Sequence, residues 1–156
     1  MRISKETIVY PLPTFELLAK KESKWRLQLP QDYRFFILKY NGAVPAECNF
    51  SCSGHEYMVT RFLCILENVR ESEFGWLDIS VVESQIGERL TENEDLIGVE
   101  VLPIAELYSG DYLCLDFRID KSSPSVCVWS HEESEDFSPV TYEVARNFTV
   151  FQKLLR

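Results

Sequence analysis

The chain is 156 residues long, 46% hydrophobic and 13% aromatic, which supplies one packed core and excludes a disordered polypeptide. Its formal net charge of -9 sets a field that repels nucleic acid and anionic bilayers and draws in basic macromolecules, so a basic protein is expected as partner, with no direct nucleic acid and no membrane. No apolar run is long enough to span a bilayer, and residues 1–13 hold only Ile8, Val9 and Tyr10 in succession, too little for a signal-peptide core; a soluble, cytoplasmic protein is expected.

In chain order, residues 1–13 read as an extended arm, since Pro11 and Pro13 forbid a helix. Thr14 is placed to cap a helix from Phe15 to about Lys24, with Phe15, Leu18 and Ala19 on its buried face and Lys20, Lys21 and Lys24 in water. Leu29-Pro30 opens a second helix that runs to about Tyr40. Proline at its start loses no useful hydrogen bond, Asp32 suits the free N–H groups of the first turn, and Tyr33, Phe36, Ile37 and Tyr40 form one apolar stripe. Asn41-Gly42 supplies the left-handed residue that ends it.

Beyond Gly42 the apolar period shortens to two. Cys48–Cys52 and Tyr57–Leu66 read as strands joined by a turn over Ser53–Glu56. Glu67–Gly75 reads as a loop, and Trp76–Leu90 as a helix with Ile79, Val82, Ile86 and Leu90 on one side. After an acidic connection at Thr91–Asp95, strands are expected over Ile97–Leu102, Tyr112–Phe117 and Val126–Trp129, then an amphipathic helix over Pro139–Leu155. The fold class is α+β: a single domain with an antiparallel sheet covered on one side by helices.

Three segments carry a resemblance: Leu29-Pro30-Gln31-Asp32-Tyr33 running on to Tyr40-Asn41-Gly42; Leu102-Pro103-Ile104-Ala105 followed by Gly110-Asp111-Tyr112-Leu113-Cys114-Leu115-Asp116; and Ala145-Arg146-Asn147-Phe148-Thr149-Val150-Phe151. In this order they resemble the signature of the SUKH superfamily, which includes a fungal cell-wall-assembly regulator and many bacterial toxin immunity proteins. The resemblance implies a curved antiparallel sheet packed against helices, spanning residues 1–156. It also implies a non-catalytic domain that binds and neutralises a toxin, often a nuclease or nucleic-acid deaminase. The alternative it implies is an intracellular regulatory adaptor of the fungal type.

The five cysteines are Cys48, Cys52, Cys64, Cys114 and Cys127, an odd number scattered among strand-like residues, which suits reduced, buried thiols. Cys48, Cys52 and His55, with Cys64 nearby, could in principle ligate zinc. Their spacing is not that of a zinc knuckle, and Cys48 and Cys52 share a face with Phe50, so buried thiols are the expectation and no metal is assigned. Cys127 and His131 are close in sequence, but His131 opens an acidic loop and Cys127 sits inside a strand, so no catalytic pair is assigned. No phosphate-loop, dinucleotide or nucleophile-elbow motif occurs, and no cofactor is expected.

What remains is a charged surface. Residues 1–40 hold eight Lys or Arg against four Asp or Glu, whereas residues 41–156 hold eight against twenty-one. Residues 111–136 hold seven acids against Arg118 and Lys121. If Tyr112–Phe117 and Val126–Trp129 pair, then Asp111, Tyr112, Asp116 and Trp129 lie near the loop that carries Glu132, Glu133, Glu135 and Asp136. These eight are the candidate partner-binding residues, the aromatics supplying contact and the acids steering.

Overall fold

A computed structural model describes residues 1–156. The amino-terminal arm is pinned by a two-residue strand, β1 (Ile3–Ser4), paired with β2 (Val44–Pro45). Between them stand α1 (Phe15–Trp25), capped by the Thr14 side chain on the Leu17 N–H, and α2 (Gln31–Tyr40). Phe15 is exposed, so Leu18 and Trp25 carry the buried face of α1. The SUKH-type motif residues Asn41 and Gly42 show why they are needed. The buried Asn41 amide donates to Val9 O and Ile65 O and accepts from Ile65 N–H, tying arm, helix end and a later segment together. Gly42 has φ +67, and a Cβ there would lie 2.6 Å from Val9 Cγ2.

One antiparallel sheet organises the rest, in the order β3 (Asn49–Cys52), β4 (His55–Phe62), β5 (Val101–Leu107), β6 (Tyr112–Asp116), β7 (Ser125–Trp129) and β8 (Thr141–Ala145). It curls until its two edges meet, with Cys52 Sγ of β3 lying 3.4 Å from Glu143 O of β8. Its inner face carries Phe50, Leu113, Leu115, Val126 and Val128. Against these pack α2 and α4 (Phe148–Leu154): Phe148 meets Tyr33 and Phe36 at ring distances of 5.2 and 5.1 Å, and Phe151 meets Phe50 at 5.3 Å. The outer face carries a smaller cluster of Val101, Cys114, Cys127 and Trp129 under Leu90.

Several expectations are corrected. The β3–β4 turn closes over Ser53-Gly54 alone, both at positive φ, as a two-residue hairpin requires, so β4 begins at His55. It ends at Phe62, because the Ile65 and Leu66 N–H groups go to the buried side chains of Asn41 and Asp78 instead of a neighbouring strand. The helix expected over Trp76–Leu90 shortens to α3 (Ile79–Ile86), since Asp78 caps it by accepting from the Ser80 and Val81 N–H groups. The strand expected at Ile97–Leu102 is displaced to β5. Gly98 (φ +94) turns the chain tightly against α1, where a Cβ would lie 2.4 Å from Trp25 O.

The largest correction concerns Pro139–Leu155, which divides into β8 and α4. Asn147 makes the break, its side chain accepting from the Val150 N–H at 2.8 Å and starting a new helix. No helix is long and apolar enough to cross a membrane.

Candidate functional site

Helices fill only part of the curled sheet. Beside the Phe50–Phe151 contact its inner face opens into a groove of about 570 Å³. Tyr57 reaches it from β4 and Tyr142 from β8, both on the inner face by register, Tyr57 opposite Phe50 and Tyr142 opposite Val128. Asp111 enters from the start of β6, and Glu132 and Glu133 from the β7–β8 loop. Tyr108, exposed in the turn before β6, and the β3–β4 hairpin residues His55 and Glu56 form the rim. The lining therefore has four carboxylates and three tyrosines, and no Lys or Arg.

Two of the carboxylates are held in place. Asp111 Oδ1 accepts the His131 backbone N–H at 2.9 Å and lies 2.7 Å from His131 Nδ1, while Glu133 Oε2 accepts the Tyr142 hydroxyl at 2.5 Å. Those contacts show in the phenols. The Glu133 hydrogen bond holds the Tyr142 hydroxyl above its ordinary value, and Tyr57 is raised by burial and then by the charges of Cys52, Asp111 and Glu133. The loop is anchored from below. Ser134 is buried and its Oγ accepts the Val140 N–H at 2.9 Å, while Arg89 donates to the carbonyls of His131 and Ser134.

Of the eight candidate residues, Asp111, Glu132 and Glu133 thus come together. Tyr112 is half-buried on the outer face beside Trp129, ring centroids 6.1 Å apart. Trp129 is corrected as a contact residue: it is 1% exposed, and its indole Nε1 donates to Arg89 O at 2.8 Å, so it supports the loop from beneath. Asp116 is corrected as a neighbour of the loop. It stands at the far end of β6, four residues or ~13 Å of strand from Tyr112, and pairs with Arg118 at 2.8 Å. Glu135 and Asp136 are exposed and lie outside the groove lining. Tyr57, Tyr108 and Tyr142 were missed. Tyr142 stood in a segment read as helix, although Thr141–Ala145 alternates at a strand's period.

The thiols do not gather at the groove. Cys52 meets β8, Cys64 lies beneath Phe74 O at 3.9 Å, and Cys127 faces Cys114 across the ladder. No three His, Cys, Asp or Glu side chains form a group able to hold a metal ion.

No curated protein and no solved structure matches the chain. A family model does, over residues 16–151, from α1 through most of α4. That span takes in all three motif segments, the whole six-stranded sheet and every residue lining the groove. The chain belongs to the SMI1-KNR4 cell-wall family, within the SUKH superfamily.

Proposed function

We propose that this domain is a non-catalytic, cytoplasmic protein-binding module, an immunity protein that binds and neutralises a cognate contact-dependent toxin acting on nucleic acid. The observation that carries the reading is the open groove with four carboxylates, three tyrosines and no Lys or Arg. Tyrosines supply rigid contact area at low entropic cost, and the acids steer a basic partner and exclude acidic ones. A toxin that grips nucleic acid presents a basic groove of its own, so an acidic lid is its natural block. Family membership supports protein binding in general. The toxin is the further step.

The test is co-purification with the toxin domain encoded beside the gene, followed by calorimetry at rising salt. Nanomolar binding that weakens with salt is expected. The double reversal E132K/E133K should slow association at least tenfold while the circular dichroism stays unchanged, and E135K/D136K should do so far less. Equal binding by wild type and E132K/E133K, with the fold intact, rejects the groove as the contact.

A further inference from the structure

The groove offers more than a negative field. Asp111 Oδ1 and Glu133 Oε2 are engaged by His131 and Tyr142, while Asp111 Oδ2 and Glu133 Oε1 accept nothing from the protein. Asp111, Glu133, Tyr57 and Tyr142 line the same groove, so two free acceptor oxygens and two phenol rings share one wall, with Tyr142 bonded to Glu133. The helical cover stops beside the groove: Phe151 of α4 packs on Phe50, and Tyr57 stacks on Phe50 at 5.5 Å as the next ring along the inner face. At the rim Arg156 is already engaged: its Nη2 lies 2.8 and 2.7 Å from the two Glu56 oxygens and 2.8 Å from Ser51 Oγ.

A ligand that suits this lining needs positive charge, several N–H donors in one plane, and flat faces to cover phenol rings. An ammonium is a compact, strongly hydrated point charge that meets only the first need. A guanidinium meets all three, because it is planar, weakly hydrated, donates bidentately to carboxylates and stacks on aromatic faces. Arg156 on Glu56 shows a guanidinium paired with a carboxylate at the groove's edge.

We propose that the groove is an arginine receptor, in which a partner's arginine places its guanidinium against Asp111 and Glu133 and its faces on Tyr57 and Tyr142. The proposal rests on the protein-binding reading above and adds the side chain by which the partner is chosen. It makes the site selective for arginine over lysine, which a general acidic surface is not.

The test is an amide chemical-shift titration of the folded domain with acetyl-Gly-Arg-Gly-amide and with its lysine twin. The arginine peptide should move Tyr57, Asp111, Glu133 and Tyr142 saturably, and bind at least about fivefold more tightly than the lysine peptide, which corresponds to ~1 kcal/mol. E133Q should remove that preference and E135Q should leave it. Equal responses to the two peptides, or shifts centred away from the groove, overturn the proposal. The two readings fail separately: equal peptide responses with toxin capture still lost in E132K/E133K remove only the arginine receptor. Arginine preference with no toxin captured removes only the immunity reading.

Discussion

Arg89 and Trp129 hold each other by both ends. The Trp129 indole Nε1 donates to Arg89 O at 2.8 Å, and the Arg89 guanidinium lies 5.0 Å from the centre of the indole ring while donating to Ser134 O at 2.8 Å and to His131 O. A residue just after α3 thereby fixes a loop more than forty positions later. It determines how Glu132 and Glu133 are presented at the groove.

Removing that clamp should loosen the loop without unfolding the sheet. R89A leaves two carbonyls without their donor and the indole without its cation, a loss of roughly 1–3 kcal/mol. R89K keeps the charge but cannot reach both carbonyls in one plane, so it should recover only part of that stability. Denaturant unfolding measures the loss, and hydrogen exchange at Ser134 and Val140 locates it. Unchanged exchange there in R89A would show that the loop holds itself.

The motif residues Asn41 and Gly42 should be among the costliest positions to change. N41A strands the Ile65 N–H and two buried carbonyls, at roughly 2–4 kcal/mol. G42A combines a strained positive φ with a clash at Val9 Cγ2, 2.6 Å from the new Cβ. Either variant unfolding at the wild-type denaturant midpoint contradicts the tie between arm, helix and sheet.

Tyr33 should behave in the opposite way. Its ring is fully buried on Phe148 and its hydroxyl has no hydrogen-bond partner. Y33F removes a desolvated polar group and leaves the packing, so stability should stay the same or rise by up to about 1 kcal/mol. A loss larger than that would reveal a partner for the hydroxyl.

Alkaline pH should erode stability through Cys64. Burial, and then the neighbouring Asp78 charge, push its thiol up from 9.0 to about 12. The folded state therefore keeps a proton that the unfolded state releases. The contribution is whole below about pH 9 and is lost progressively as pH rises toward about 12, at up to ~1.4 kcal/mol per pH unit for one group. C64A should flatten that limb of the pH–stability curve measured by urea unfolding. An unaltered alkaline limb in C64A assigns the loss to other groups, among them Cys114, which burial also raises.

Much of the fold was legible because local codes are strong where one side chain decides. Thr14 and Pro30 open helices, Gly42 closes one, and the alternation in Tyr112–Asp116 and Val126–Trp129 separates an inner face from an outer one. The acid beyond residue 41 was equally plain. Such features depend on a few neighbours along the chain, and the sequence states those neighbours directly.

Only the tertiary structure settled Thr141–Ala145, whose Tyr142, Val144 and Ala145 lead into Phe148 and Phe151 at spacings that fit a helix or a strand. Pairing with β7 and the Asn147 cap chose the strand. The closing of the sheet brought Tyr142 and Tyr57, residues 85 positions apart in sequence, into one groove with Glu133 and Asp111, while the length of β6 carried Asp116 away. Charge is additive along a sequence, whereas a site is a matter of which faces a curled sheet turns inward, and that curl is set by contacts such as Cys52 with β8 that no local pattern encodes.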